Sequence, residues 1–440
     1  PAMKFSQYNS LLYVSDEKSL LYNAMTDKFL ALTGNNNSLF KTAAISPATI
    51  KDVNPELFGQ LCENGFMVED STDETALVEN LIETIDNSDD FFQLHINPTL
   101  DCTCRCWYCY ETHLKGSRMG PTTIEAAKRF IENTMSGNPD LKSFDLSFFG
   151  GEPLMYFNSV ARPIISSAIA LSGKYGIGLH IHFTTNGYLL NDEILEFLSQ
   201  TDVSYQITLD GNREQHNRTR FLPNGKGTFD RITSNITKAL ARGHRIVLRI
   251  NYTASIVDSL KDIMRLVECI GSESRKYLRI DFQRVWQDPK GSDEEEETLR
   301  EKISAYASYA KRLGIGASTR ACMDAVRSSC YGNRRNYALI NYNGDVFSCT
   351  ARDFTEANRA GVLSENGNIE WTGDSIENRM KARFRNSACH KCRIAPLCGG
   401  ACRQRCIEEP DNLTECYHRY SDKDIDNIIY DRFDYMFLNT

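Results

Sequence analysis

From Phe91 to about Gln287, short apolar runs alternate with longer segments whose apolar residues recur at helical spacing. The runs Phe92–Ile96, Phe144–Phe149, Leu179–Phe183, Tyr205–Leu209, Ile246–Tyr252 and Leu278–Val285 predict strands. The segments between them, Thr123–Met135, Ser159–Leu171, Asp192–Leu198, Asp230–Ala241 and Ser255–Ile270, predict helices. Strand–helix alternation repeated in this way predicts a parallel sheet with right-handed crossovers. The repeats fall short of a closed eightfold barrel. The expected fold is therefore α/β, a partial (β/α)6 TIM-like barrel with its chemistry at the carboxyl ends of the strands.

The flanks have a different texture. Leu11–Val14 and Leu20–Tyr22 enclose Ser15-Asp16-Glu17-Lys18, a hairpin pattern, and helical patterns follow around Thr26–Leu32 and Asn54–Glu63. Gly65 stops the second of these, and Phe66-Met67-Val68 reads as a closing strand. A hairpin with short helices and a return strand predicts a winged-helix-like domain over residues 3–75. The acidic stretch that follows makes 76–90 a linker, and 91–310 is the barrel. Asp293–Glu297 opens a helix toward Leu313, its carboxylates favouring the helix N-terminus. Residues 311–420 are rich in loops and cysteine, and 421–440 form a helical tail, centred on Asp422–Phe437, that packs back on the body.

Composition narrows the function. The chain is 41% hydrophobic and 25% charged, which excludes disorder. No run approaches the roughly 18–20 unbroken apolar residues of a spanning helix. A net charge of −8 removes the electrostatic basis for nucleic-acid binding. Neither membrane nor nucleic acid is an expected partner. The 15 cysteines are the anomaly. Four are Cys102, Cys104, Cys106 and Cys109, and nine more fall between Cys322 and Cys416. A disulfide scaffold is small, secreted and evenly stapled. This chain is large, has an odd cysteine count and opens Pro1-Ala2-Met3-Lys4-Phe5 without a signal-like segment. Metal ligation in the cytoplasm is the expectation.

Cys102-x3-Cys106-x2-Cys109 directly follows the first barrel strand. Three thiolates bind three irons of a 4Fe–4S cube and leave the fourth open, since such clusters usually take four cysteines. A zinc site with Cys104 as the fourth ligand is the other reading. Later strand ends carry Gly150-Gly151-Glu152-Pro153, Thr185-Asn186-Gly187 and Thr208-Leu209-Asp210-Gly211, placing exposed backbone and short polar groups at the same mouth. The C-terminal set is Cys330-x13-Gly344-x4-Cys349, then Cys389-x2-Cys392-x5-Cys398-x3-Cys402, then Cys416. This is soft ligand for two further sites, clusters or structural zincs.

Together these motifs resemble the radical S-adenosylmethionine (radical SAM) superfamily. The resemblance implies that Cys102, Cys106 and Cys109 hold a cluster whose open iron is chelated by SAM. It implies that Tyr108 lies against adenine, that Gly150, Gly151 and Glu152 offer backbone groups to the SAM amine, and that Asn186, Thr208 and Arg220 lie near its ribose and carboxylate. Arg218 competes with Arg220 for that place, and Cys104 is no ligand in the family pattern. The C-terminal spacing resembles a SPASM domain, a twin auxiliary-cluster extension. Carried over, Cys322, Cys330, Cys349 and Cys402 hold one auxiliary 4Fe–4S cluster, and Cys389, Cys392, Cys398 and Cys416 hold the second. Cys406 is the rival to Cys416, while Cys62 and Cys269 read as small core residues.

Joined to such a body, the N-terminal domain resembles the leader-recognition element of enzymes that modify ribosomally made peptides, where a leader adds as a strand. The implied activity is that of a peptide maturase. It would use a 5′-deoxyadenosyl radical to abstract hydrogen from a precursor and install a thioether, ether or C–C cross-link, with electrons from a flavodoxin or ferredoxin. The alternatives are a sulfatase-maturase-like oxidation of a Cys or Ser, peptide epimerisation, and a non-catalytic zinc-organised binding protein. The sulfatase-maturase-like reading wants an aspartate directly after the Cys349 equivalent. Thr350 stands there, and Asp353 is the candidate proton acceptor.

Overall fold

The computed structural model describes residues 2–43, 46–319 and 330–437. Its N-terminal part contains β1 (Met3–Phe5), β2 (Asn9–Ser15), β3 (Lys18–Asn23) and β4 (Lys28–Thr33), then helices Gly34–Ala43, Pro47–Val53 and Pro55–Glu63, and β5 (Met67–Glu69). The expected hairpin is β2–β3, but β4 extends it to three strands in the order β2-β3-β4. Of the Thr26–Leu32 segment expected as helix, Lys28–Leu32 is therefore strand, after a turn. Its run Phe29-Leu30-Ala31-Leu32 satisfies either period, and pairing with β3 decides. The return strand β5 pairs with β1 instead of the hairpin.

Of the segment 76–90 expected as a linker, the part up to Asp86 is helical. Helix Glu74–Asp86 runs through that part, capped by Asp73, whose side chain accepts from the Ala76 amide. Its last residue, Asp86, is buried and accepts from the guanidinium groups of Arg383, at 2.7 Å, and of Arg403. The helix ties the N-terminal part to the cysteine-rich segment.

The barrel strands fall where the pattern places them: β6 (Phe91–Ile96), β7 (Ser143–Phe148), β8 (Gly178–Thr185), β9 (Asp202–Leu209), β10 (Arg245–Tyr252) and β11 (Leu278–Arg284), followed by β12 (Gly316–Ser318). Neighbours pair in parallel, with helices such as Pro121–Gly137, Arg162–Tyr175 and Phe229–Ala241 between them. The sheet does not end at β6. Four further strands, β13 (Tyr337–Ile340), β14 (Asp345–Phe347), β15 (Gly361–Leu363) and β16 (Ile369–Trp371), continue it, β13 running parallel to β6 with Leu339 opposite His95. The result is one sheet of 11 strands in which barrel and cysteine-rich segment share backbone hydrogen bonds.

One face of each barrel strand is apolar. Leu94, Leu146, Ile181, Ile207, Leu248 and Ile280 are buried in a single core with helix residues such as Ile131, Ile165 and Ile236. The alternate positions are polar: Gln93 and His95, Asp145 and Ser147, His180 and His182, Ser204 and Gln206, Arg249 and Asn251, Asp281 and Gln283. Side chains from β6, β8, β9, β10 and β11 line one cavity, so the sheet curls around a polar lumen. Pro153–Tyr175 is long and apolar enough to cross a membrane by length and composition, although Asn158, Arg162 and several serines interrupt its apolar run. Here its Ile164, Ile165, Ala168 and Leu171 pack on the barrel. The helix Asp422–Phe437 packs back as expected, Ile425, Ile428 and Ile429 sharing a core with Tyr8, Leu12 and Tyr22 of the N-terminal part.

Candidate active site

The cavity, of about 490 Å³, opens at the carboxyl ends of the strands. The loop after β6 supplies its thiols, and short-range bonds shape that loop. Thr99 Oγ1 donates to the Ser117 carbonyl at 2.6 Å, Asp101 Oδ1 accepts from the Cys102 amide at 2.8 Å, and Asp101 Oδ2 accepts from the Gly116 amide at 2.9 Å. Arg105 donates to the carbonyls of Cys102 and Cys104. Cys102, Cys106 and Cys109 all line the cavity, and so does Cys104. Burial raises all four thiols, Cys109 to about 11 and Cys104 to about 12. A soft cationic group is the partner that draws such thiols into the thiolate form.

The glycine turn after β7 presses against that loop. Gly150 and Gly151 have φ of +74° and +50°, and a Cβ on Gly151 would lie 2.1 Å from the Asp101 carbonyl oxygen. Only glycine fits there. Glu152 is fully buried, and its carboxylate is consumed internally. It accepts from the Leu154 amide at 3.0 Å, Thr185 Oγ1 at 2.6 Å and the Asn186 amide at 2.8 Å. Its side chain therefore fixes the turn after β8. Asn186 Nδ2 in turn donates to Thr103 Oγ1 at 2.9 Å, on the cysteine loop.

Tyr108 is anchored through its hydroxyl. The phenol donates to Asp210 Oδ2 at 2.6 Å and accepts from Arg220 at 2.8 Å and Asn251 Nδ2 at 3.0 Å. Arg220 is buried and pairs with Asp210 at 2.9 Å. Arg218, the competing arginine, points elsewhere and pairs with Glu214. Thr208 and Arg220 line the cavity beside Gly150, Gly151 and Asn186. The structure thus brings to the cavity Tyr108, Gly150, Gly151, Asn186, Thr208 and Arg220 with the three cysteines, but not Glu152, whose amide donates to the Asp101 carbonyl and whose carbonyl accepts from the Met155 amide, nor the candidate proton acceptor.

The candidate proton acceptor is Asp353. Its Oδ1 accepts from the Thr112 amide at 3.1 Å and from Thr112 Oγ1 at 3.2 Å, and it does not line the cavity. The carboxyl group inside is Glu111, two residues past Cys109. It accepts from the Gly151 amide, its Oε1 is buried without a partner, and burial pushes it up to about 8. Its position straight after the cysteine loop was the available signal.

The C-terminal thiols form two further groups. Cys330, Cys349 and Cys402 lie close enough to perturb one another electrostatically, while Cys322 lies outside the described residues. Cys389, Cys392, Cys398 and Cys416 line one cavity of about 180 Å³. Cys406 does not line it; its buried thiol donates to the Gly400 carbonyl at 3.7 Å. Among the described residues, no three His, Cys, Asp or Glu side chains close to the spacing of a single metal ion. Cys62 is half-buried, and Cys269 is exposed rather than a core residue.

Residues 96–270 match the family model described as the radical SAM superfamily. A cysteine-type anaerobic sulfatase-maturating enzyme of Clostridium novyi is 25% identical over 140 residues, 31% of this chain and 37% of that protein. The radical SAM cyclopropyl synthase TigE of Paramaledivibacter caminithermalis is 25% identical over 195 residues, 40% of this chain and 39% of its own. The matched stretch thus spans about two fifths of these relatives. Among solved structures, anSMEcpe with bound AdoMet superposes with a TM-score of 0.58 at 18% identity, covering 79% of this chain and 97% of that one. Streptococcus suis SuiB bound to S-adenosylmethionine gives 0.53 at 15% identity, covering 94% and 99%, and SuiB bound to its precursor peptide SuiA gives 0.50.

Proposed function

Residues 96–270 being a radical SAM domain, we propose that this chain is a peptide maturase that cross-links a ribosomally made precursor. Cys102, Cys106 and Cys109 would hold a 4Fe–4S cluster, and the glycine turn, Asn186, Thr208 and Arg220 would hold SAM beside it. Bound there, cluster and SAM would together supply radical chemistry able to abstract hydrogen from the substrate. The chain's own residues orient and shield. Tyr108, held by Asp210, Arg220 and Asn251, offers a fixed aromatic face. Gly151, with no side chain, lets the turn after β7 press against the backbone of the cysteine loop. Cys330, Cys349 and Cys402 with Cys322 would hold one auxiliary cluster, and Cys389, Cys392, Cys398 and Cys416 the other, in a SPASM-type domain. A cytoplasmic flavodoxin or ferredoxin would supply electrons.

The observation that carries the peptide reading over the sulfatase-maturase-like one is the position of Asp353. That oxidation wants an aspartate base at the cavity beside Cys349, and here Thr350 lines the cavity while Asp353 is held outside by Thr112. The leader would add to a free edge of the β2-β3-β4 sheet. SuiB, which superposes across the N-terminal part as well, is solved with a precursor peptide bound. The test is anaerobic purification followed by co-expression with the short peptide encoded beside the protein. Roughly twelve irons per chain and a peptide lighter by two hydrogens are expected. Stoichiometric zinc without iron, or an unmodified peptide mass, sinks the reading.

A further inference from the structure

The lumen of a closed (β/α) barrel is normally filled by branched apolar side chains. Here it is polar, and on β8 and β9 the polar groups join into a continuous line. His182 lines the floor of the cavity. Its Nδ1 lies 2.8 Å from Ser204 Oγ, and Ser204 Oγ lies 3.0 Å from His180 Nε2. His180 Nδ1 lies 3.1 Å from Asp202 Oδ2, whose side chain is 59% exposed. Asp202 begins β9, so the line leaves the barrel at the end opposite the cysteine loop. The span from Thr184 to His180 along β8 is about 13 Å at the usual strand rise.

One set of tautomers satisfies every link of the line from His182 to Asp202. His182 Nδ1–H donates to Ser204, the Ser204 hydroxyl donates to His180 Nε2, and His180 Nδ1–H donates to Asp202. Arg245 pairs with Asp202, and its guanidinium also lies 3.2 Å from His180 Nδ1, where it competes with the carboxylate for that nitrogen. This leaves the His182 Nε2 lone pair facing Thr184 Oγ1, 3.5 Å away, and the cavity. The line is oriented to take a proton at Nε2 and deliver another at Asp202. The other groups around His182 are His95 on β6, Asp145 and Ser147 on β7, and Arg245 on β10. Burial and the neighbouring His180 and Arg245 hold His182 down at about 4, so the ring is neutral at rest and able to accept.

We propose that His182, Ser204, His180 and Asp202 are a proton exit from the cavity through the barrel floor. The proposal rests on the cross-linking reading. Joining C–H and X–H into C–X removes two hydrogens. One leaves as an atom to the radical derived from SAM; the X–H hydrogen leaves as a proton as the new bond forms, and the remaining electron passes to a one-electron acceptor of the iron–sulfur class. A peptide lying across the mouth blocks water from above, so this proton needs another way out. His182 accepts it, and each hydroxyl or ring passes its own proton onward to Asp202 and solvent.

The full-length protein labelled with 15N-histidine reports the tautomers by NMR without substrate. Nδ1–H on both His182 and His180 is expected, and a His182 Nε2–H tautomer overturns the proposal. In turnover, Ser204→Ala should lower cross-linked product per 5′-deoxyadenosine released by about tenfold to a hundredfold, and Ser204→Thr should restore it. An unchanged ratio in Ser204→Ala also overturns it. If the wild-type protein modifies no peptide, the cross-linking reading fails, and with it the proton that this exit serves, while the ring tautomers still show whether the line is built as described.

Discussion

Glu152 Oε2 accepts the backbone N–H of Asn186 at 2.8 Å, joining the turns that end β7 and β8. With Thr185 and Leu154, three donors converge on one buried carboxylate. Glu152→Ala strands all three, each costing about 1–3 kcal/mol when left buried and unpaired. A lower melting temperature and weakened SAM binding by equilibrium dialysis are expected. Glu152→Gln, which keeps one acceptor oxygen, should fall between.

Asp86 answers two buried guanidinium groups, and removing it leaves Arg383 and Arg403 buried against each other. Breaking one side of such a network costs about 3–5 kcal/mol. Asp86→Ala should lower the unfolding free energy read from urea titration by that amount, and a change within error would show that the helix Glu74–Asp86 is not a structural tie.

Asp145 lies in the lumen, and burial raises its carboxyl to about 6, with Asp202 adding and His180 opposing. Its folded value lies above the unfolded one near 4. The folded state therefore binds the proton more tightly, and stability falls as pH rises between those two values. The loss is on the order of 3 kcal/mol. Asp145→Asn should match the wild type in denaturant near pH 4 and exceed it at pH 7.

Cys416 lines the second C-terminal cavity and Cys406 does not. Cys416→Ser should lose roughly four irons on anaerobic reconstitution, whereas Cys406→Ser should retain them. Equal losses would return Cys406 to the ligand set.

If the leader acts by raising local concentration, a core peptide without it should be modified about a hundredfold less efficiently. Leader added as a separate peptide should compete with the intact precursor rather than rescue the core. Mass spectrometry of timed reactions reads both.

The barrel was legible because its strands and helices have strong, different periods. Its register with the cysteine-rich segment was not, since β6 and β13 are far apart in sequence and carry no local mark of pairing. The polar lumen was written in strands such as Gly178–Thr185, Gly-Leu-His-Ile-His-Phe-Thr-Thr, as strict alternation. Read only as apolar runs, such strands point outward to the helices and say nothing of the other face. Helix Glu74–Asp86 hid behind its acidic composition, although Asp73 caps it and Leu77, Val78, Leu81 and Ile82 repeat at helical spacing. The cysteine spacing marked the thiol groups well; what it could not show is that Asp353 turns away while Glu111 turns in.

The pairing of β6 with β13 also orders events during synthesis. Leu339 reaches the ribosome exit long after His95, the residue it faces. Until then the first barrel strand has an open edge, the kind of surface on which other chains pair. A nascent chain paused before residue 337 is thus an aggregation-prone object, and truncating the protein there would yield a sheet with an exposed seam rather than a free-standing barrel.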